Sequence, residues 1–249
     1  MPTSEPMLVR LTRRPVSFRR DRLESNPPGG VMSENFRSPR TAPPADPFGE
    51  FAAVRQFSRL AMHAPFLMMA RRGNGEPVLM LPGLGGGDIS LSALRSYLTT
   101  LGYRAVGWGL GTNDGDLDRL LPRVTRVLQE LVDRRGQPAA LIGQSLGGYV
   151  AREVAREHPD LVAQLITFGT PMLRPRSRRP IQCPVTVIYS KVDRIVPWRG
   201  CVDPDPSSSN IEVRSTHLGM GIDPDVWRVV ARQLNSAHLG ADARFTATG

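Results

Sequence analysis

One serine stands between small residues at the end of an apolar run. The segment Leu141–Val150 reads LIGQSLGGYV, so Ser145 has glycines two positions before it and two positions after it. A strand that turns sharply into a helix needs small residues at those positions, because the two elements approach closely there. Such a turn lifts the serine oxygen clear of the backbone. The pattern predicts an exposed nucleophile, although five residues alone are a weak signal.

A serine hydroxyl is a poor nucleophile at neutral pH, so it needs a base to take its proton and an acid to orient that base. Asp193 follows the apolar run Val185–Ser190, and His217 follows the run Ile211–Ser215. The chain order serine, aspartate, histidine is the order expected for a triad on a parallel α/β sheet. We therefore expect Ser145 to attack, His217 to carry the proton and Asp193 to orient His217.

The other histidines and two further aspartates fit these roles less well. His63 precedes the expected sheet, His158 ends the helix after Ser145, and His238 lies near the end of the sequence. Asp203 and Asp205 lie in a loop rich in proline and serine, which is typical of a solvated segment.

Two backbone N–H groups must hold the oxyanion that develops during such an attack. We expect one from Leu146, the residue after the nucleophile, and the other from Leu84 in the glycine-rich loop LMLPGLGGGD. That loop also suggests dinucleotide binding, but the third glycine of a G-x-G-x-x-G motif would fall on Asp88. We therefore predict an oxyanion loop rather than a nucleotide site.

Apolar runs alternate with helical segments from residue 77 onwards, which predicts a mostly parallel sheet of about six strands with helices on both faces. The expected helices span residues 90–101, 116–134, 146–158 and 224–236. Only about a dozen residues separate Gly169 from Cys183, which leaves no room for a cap domain there. The expected strands are Val78–Leu81, Arg104–Leu110, Ala139–Gly143, Leu165–Gly169, Val185–Ser190 and Ile211–Ser215.

The predicted domain organisation follows from the composition of each segment and from the spacing of its apolar residues. Residues 1–47 are rich in Arg, Pro and Ser and are predicted to be a disordered tail, within which Met32 is an alternative start. Residues 48–72 predict an N-terminal helix that either packs on the domain or forms a surface that touches lipid or shields the site. The catalytic α/β domain is expected at 73–237 and a flexible C-terminal tail at 238–249. The apolar face of the helix comprises Phe51, Val54, Phe57 and Ala61.

The net charge of +9 does not predict nucleic-acid binding. Lys191 is the sole lysine, and the arginines are scattered instead of clustered on one face with aromatic residues. No apolar run reaches the ~18 residues of a membrane span, and the first residues lack the apolar core of a secretory signal. We expect an intracellular, cytoplasmic protein in which Cys183 and Cys201 are free thiols.

Between residues 74 and 236 the chain resembles the α/β-hydrolase-fold serine esterases and lipases, in particular a bacterial subgroup with a reduced sheet and no cap domain. The resemblance implies hydrolysis of small-molecule or lipid esters by Ser145, Asp193 and His217, with neither metal nor organic cofactor. It is carried by PVLMLPGLGG, LGYRAVGWGLG, IGQSLGGYVAREVAREHP, ITFGTPM, IYSKVDRIVPW and STHLGMG.

The chain also departs from the pattern of that family. The first strands of the full fold are missing, and Pro82 stands where many members carry histidine before the oxyanion-loop glycine. The serine at the elbow argues against haloalkane dehalogenases and epoxide hydrolases, which use an aspartate nucleophile.

Alternatives remain open at this point. The same triad serves a thioesterase or an acyltransferase, and a non-catalytic binding protein can keep this fold. The basic loop Arg174–Arg179 either borders the mouth of the site, where it could meet phosphate-bearing groups, or forms a solvated surface. Peripheral membrane contact and oligomeric state also stay open. Apolar residues near the site that favour an acyl chain, or belong to the core, are Leu84, Leu146, Met172 and Met220.

Overall fold

The computed structural model describes the backbone of residues 58–60 and 62–245, and the side chains up to residue 235. The predicted tail 1–47 with Met32, the last residues 246–249 and the predicted apolar helix face lie outside the described residues. That face comprises Phe51, Val54, Phe57 and Ala61.

A six-stranded sheet forms the centre of the described part, in the spatial order β2-β1-β3-β4-β5-β6. Every neighbouring pair is parallel, which confirms the predicted α/β architecture. The strands are β1 (Pro77–Leu81), β2 (Arg104–Gly107), β3 (Ala139–Gln144), β4 (Val162–Phe168), β5 (Val185–Ser190) and β6 (Ser209–Val213).

Helices connect most of the strands. Residues 58–60 and 62–68 form α1, and no helix among the described residues is long and apolar enough to cross a membrane. Short 3-10 turns lie at Asp88–Leu91, Pro159–Leu161, Trp198–Gly200 and Leu218–Ile222. The longer helices are α2 (Ser92–Thr100), α3 (Leu117–Arg135), α4 (Leu146–Glu157) and α5 (Pro224–Phe245).

Strand β2 ends at Gly107, three residues before the predicted end at Leu110. The carboxylate of Asp88 accepts hydrogen bonds from the amides of Trp108 and Gly109 at 2.9 and 3.1 Å. These amides are therefore occupied by a side chain instead of a neighbouring strand, and the predicted strand was too long.

The last strand and the last helix also differ from their predicted bounds. Strand β6 stops at Val213 because the amide of Ser215 donates to the hydroxyl of Ser190 at 3.2 Å instead of continuing the ladder. Helix α5 continues to Phe245, so residues 238–245, predicted as part of a flexible tail, are helical.

Strands β1 to β5 each supply two separate apolar cores, because their side chains alternate between the faces of the sheet. In β1, Val78 and Met80 pack with α2 and α5, whereas Leu79 and Leu81 pack with α3 and α4. Continuous apolar runs in the sequence are the consequence, since both faces are covered. Helix residues in these cores include Leu94, Leu98, Val226 and Val230 on one face and Leu120, Val124, Val150 and Val154 on the other.

The described part of α1 packs on the domain. Leu67 is buried, and its carbonyl accepts a hydrogen bond from the Tyr97 hydroxyl at 3.0 Å. Arg59 pairs with Asp223 at 3.4 Å and with Asp225 at 3.0 Å, both at the start of α5. Over the residues that the structure describes, these contacts favour the prediction that the helix packs on the domain.

Residues 169–184 join β4 to β5 without a helix or a strand. The basic loop within them lies against α4: the Tyr149 hydroxyl donates to the carbonyl of Arg174 at 3.1 Å, and Glu153 accepts from the amide of Arg176 at 2.8 Å. Arg179 forms an ion pair with Glu157 at 3.1 Å, near the far end of that helix. This part of the loop therefore points away from the carboxyl edge of the sheet.

A buried ion pair joins α4 to the loop before β6. Arg152 Nη2 donates to Asp203 Oδ2 at 2.7 Å, and both side chains are less than a tenth exposed. The sequence predicted a solvated aspartate, which is wrong. Burial alone raises the pKa of Asp203, but the hydrogen bond from the Asp205 amide and the Arg152 charge outweigh it, so the pKa lies below its ordinary value.

We expect Asp203→Asn to lower the free energy of unfolding by about 3 kcal/mol at neutral pH, because Arg152 stays buried without its carboxylate. The difference from the wild type should shrink as the pH falls below 3.8 and through the lowered pKa, since the wild type then loses the same charge. Urea unfolding at several pH values measures both effects. Asp160→Asn changes an exposed aspartate and is the matched control; an equal loss in both variants would contradict the prediction.

The cysteines are free thiols, as predicted. Burial raises the pKa of the Cys183 thiol to about 11 and that of the Cys201 thiol to about 12. Because the thiolate is the nucleophile, both cysteines are poorly reactive in the folded protein.

Candidate active site

The turn between β3 and α4 holds Ser145 in a strained conformation. Its φ of 49° and ψ of −123° make it the one residue other than glycine with positive φ among the described residues. Backbone strain of this kind costs energy and is maintained only where the surrounding structure enforces it. The predicted strand–turn–helix setting of the serine motif is therefore present.

Three glycines allow the strand and the helix to approach each other at this turn. A Cβ at Gly143 would lie 2.4 Å from the Cα of Gly148, and a Cβ at Gly148 would lie 2.0 Å from the hydroxyl of Thr170. A Cβ at Gly147 would lie 2.4 Å from the carbonyl oxygen of Leu81, at the end of β1. Any side chain at these positions would separate α4 from the sheet.

The structure brings Ser145, His217 and Asp193 together at the carboxyl edge of the sheet. His217 Nε2 lies 3.1 Å from Ser145 Oγ, and His217 Nδ1 lies 2.7 Å from Asp193 Oδ2. His217 and Asp193 are 6% and 8% exposed, whereas Ser145 is partly accessible. With Nδ1–H donating to the carboxylate, Nε2 is left to accept the serine proton.

Backbone amides fix the orientation of the Asp193 carboxylate. Oδ1 accepts from the amides of Ile195 and Val196 at 2.8 and 3.0 Å, which leaves Oδ2 for the imidazole. Because the two amides fix the carboxylate, its free oxygen accepts from Nδ1–H of His217 and so holds the imidazole in one tautomer.

Two small residues that the sequence analysis did not single out position the imidazole. Ser190, at the end of β5, accepts from the amides of Val192 and Ser215 at 3.2 Å each, so one hydroxyl joins the loops that carry Asp193 and His217. Gly169 follows β4 with φ of 58°, and a Cβ there would lie 3.1 Å from His217 Nδ1. The ring therefore lies directly against the backbone.

The predicted oxyanion loop lies beside the serine. A Cβ at Gly83 would lie 3.2 Å from the Cβ of Ser145, so Leu84 immediately follows a residue in contact with the nucleophile. Leu146 is the first residue of α4, where amides have no partner within the helix. Neither the Leu84 nor the Leu146 amide donates a hydrogen bond to another described residue.

Asn113 holds this loop in place. Its side chain is fully buried and donates to the carbonyl of Pro82 at 2.9 Å while accepting from the amide of Gly115 at 3.1 Å. Its backbone accepts from the amide of Gly85 at 2.7 Å and donates to the carbonyl of Gly86 at 2.8 Å. The Asn113 side chain thus supplies hydrogen bonds to this loop that the side chain of Pro82 cannot form.

The rival candidates lie elsewhere or have other partners. His63 belongs to α1, His158 follows the end of α4, and the side chain of His238 lies outside the described residues. Asp203 is paired with Arg152, and the exposed Asp205 accepts from Ser207 at 2.7 Å. Within the described residues, no group of three His, Cys, Asp or Glu side chains could hold a metal ion.

Comparison with known protein families gives one match in the centre of the chain. Residues 105–220 are similar to a family of hydrolases described as serine aminopeptidase, S33. The matched span contains Ser145, Asp193 and His217, and it supports a hydrolase activity.

Solved structures share the fold at low identity. A hydrolase of the α/β superfamily from Xanthomonas campestris pv. campestris is 22% identical, with a TM-score of 0.53 over 65% of this chain and 99% of its own. A serine hydrolase homologue from Coxiella burnetii is 20% identical, with a TM-score of 0.53 over 67% and 88%. A thioesterase domain from the curacin biosynthetic pathway is 17% identical, with a TM-score of 0.51 over 66% and 92%.

We expect Asn113→Ala to lower the free energy of unfolding by about 2 kcal/mol, because the buried Pro82 carbonyl and the partly buried Gly115 amide lose their partner. Urea unfolding measures the loss. Thr112→Ala changes an exposed neighbour and is the matched control. If both variants unfold at the same urea concentration, Asn113 does not support the loop.

Proposed function

We propose that this chain, which has the α/β-hydrolase fold, is a serine hydrolase that cleaves carboxylic esters through an acyl-enzyme. The observation that carries the proposal is the unbroken chain of hydrogen bonds from Ser145 through His217 to Asp193, beside a loop with free amides. A structural role for these groups would not require a strained serine at a glycine-lined turn.

In the first half of the reaction, Ser145 Oγ attacks the ester carbonyl carbon while His217 Nε2 takes the hydroxyl proton. The carbonyl oxygen becomes an oxyanion, which accepts hydrogen bonds from the amides of Leu84 and Leu146. The bond to the alcohol oxygen then breaks as His217 returns its proton to that oxygen, and the acyl group stays on Ser145.

In the second half, water replaces the alcohol. His217 takes a proton from the water, whose oxygen attacks the acyl carbon and forms a second oxyanion at the same amides. The bond to Ser145 breaks as His217 protonates the serine oxygen, and the carboxylic acid leaves. Asp193 keeps its proton-free carboxylate throughout and stabilises the charged imidazole.

Apolar side chains next to the nucleophile favour an apolar acyl group. The side chains of Leu84 and Leu146 converge on Gly115, where an added Cβ would lie 3.1 Å from one and 3.6 Å from the other. Leu84 is 37% exposed, so its side chain is available to a substrate. Met220, in contrast, is fully buried in the core beneath His217 and does not line an acyl site.

A fluorophosphonate probe tests for the activated serine. We expect it to label the wild type and the matched control Ser96→Ala, which changes an exposed serine on α2, but not Ser145→Ala. Ester hydrolysis should fall by roughly 10⁴-fold or more in Ser145→Ala and His217→Ala, because the triad acts as a unit. Unfolding in urea at wild-type concentrations shows that the variants are folded. An unlabelled wild type would indicate a non-catalytic protein.

A substrate panel tests the ester assignment. We expect kcat/KM for nitrophenyl esters to rise with acyl length, since each buried CH₂ contributes about 0.8 kcal/mol, or roughly fourfold. Matched thioesters and an aminoacyl nitroanilide complete the panel. Preference for the thioesters would favour a thioesterase, and preference for the anilide would favour the peptidase activity that the similar family is named for.

A further inference from the structure

Five exposed apolar side chains surround the candidate active site. Large apolar residues that are more than a third exposed are few in the described part, and those outside α1 and the residue after it all flank the triad or its oxyanion loop. Ile89 is 89% exposed, Leu218 is 78% exposed and Ile195 is 56% exposed. We call the set the apolar rim: Leu84, Ile89, Val192, Ile195 and Leu218.

Sequence adjacency to the triad residues and a contact between two turns place the rim at the carboxyl edge of the sheet. Val192 and Ile195 bracket Asp193, and Leu218 follows His217. The turn that carries Ile89 contacts the turn that carries Leu218, because a Cβ at Gly221 would lie 3.4 Å from the carbonyl oxygen of Ser90. The rim side chains therefore lie on loops and turns that carry the triad or adjoin it.

The charges interleaved with the apolar rim are mainly basic once ion pairs are removed. Lys191 pairs with Glu212 at 2.7 Å. Among the described residues, no carboxylate pairs with Arg194, which lies between Val192 and Ile195, or with Arg214 just before the histidine loop.

Three acidic residues near the oxyanion loop have basic partners, whereas Asp88, next to Ile89, accepts only from the backbone amides of Trp108 and Gly109 among the contacts described. Asp114 and Asp116 pair with Arg119, and Asp118 pairs with Arg176. Arg194 and Arg214 outnumber the single carboxylate of Asp88, so the charge beside the apolar rim is net positive, which is the pattern that binds an anionic lipid surface.

We propose that the apolar rim docks the protein on a lipid surface with anionic head groups. The rim side chains enter the boundary between head groups and acyl chains, and Arg194 and Arg214 lie at the level of the phosphates. The catalytic use of this docking rests on the proposed function, because the docked site would face the pool from which an acyl ester is drawn. The binding itself does not depend on that function.

A lipid surface fits the rim better than a protein partner does. A protein seated on all five side chains would cover Ser145 and exclude the substrate. A lipid surface covers the same side chains and also supplies molecules that can move into the site. Exposed apolar residues on the loops next to a nucleophile are therefore explained better by a fluid lipid surface than by a protein.

Vesicle co-sedimentation tests the proposal with the full chain carrying Ser145→Ala, so that no lipid is cleaved. Vesicles of phosphatidylglycerol mixed with phosphatidylcholine are compared with vesicles of phosphatidylcholine alone. We expect binding to the anionic vesicles, and a loss of at least about tenfold in the partition coefficient when Ile89→Ser and Leu218→Ser are added. Arg194→Gln should lose about fivefold on anionic vesicles and little on neutral ones.

Met69→Ser provides the matched control, because Met69 is an apolar residue that is 80% exposed but lies at the end of α1, away from the triad. We expect it to bind vesicles like the parent. Equal losses in the control and in the rim variant would overturn the proposal, as would a parent protein that does not sediment with anionic vesicles.

Hydrolysis of a soluble acetate ester by the otherwise wild-type chain separates this proposal from the proposed function. The rim variant Ile89→Ser/Leu218→Ser should keep that activity within about twofold, since neither side chain contacts the triad atoms. A protein that binds vesicles but cleaves no ester would leave the docking surface standing and remove the proposed function. A protein that cleaves the ester but does not bind vesicles would support the proposed function and overturn the docking surface.

Discussion

The close approach of α4 to the end of β3 is the constraint on which the site depends. Gly143, Gly147 and Gly148 remove the side chains that would separate helix from sheet, and Ser145 takes the strained backbone that remains. Because the helix begins at once, the amide of Leu146 has no partner within the helix and stays available next to the nucleophile. The neighbouring loops then need only reach this one point, which they do from the ends of β1, β5 and β6.

Much of this arrangement could be predicted because parallel strands impose it. Their carboxyl ends meet at one edge, so residues after three separate apolar runs had to converge there, and Asp193 and His217 lie where chain order placed them. The supports were not predictable in the same way. Asn113, Ser190 and Gly169 act through single contacts between loops that are distant in sequence, and nothing in their local pattern distinguishes them from ordinary turn residues.

Strand and helix ends were the least predictable part of the fold, for a related reason. The predicted strands run past Gly107 and Val213, but Asp88 and Ser190 accept hydrogen bonds from the amides of Trp108 and Ser215 and end the ladders. The burial of Asp203 was also predicted wrongly. A loop rich in proline and serine predicts an exposed aspartate, but Arg152 of α4 pairs with Asp203 and both side chains are buried. In each case a side chain from another segment overrides the local preference.

The hydrogen bonds of Asn113 make two surface loops into a single mechanical unit. Asn113 forms three hydrogen bonds to residues 82–86 and a fourth to Gly115 in its own loop, so neither loop can be lengthened or exchanged without disturbing its neighbour. A graft intended to change acyl preference would therefore have to transplant both segments together.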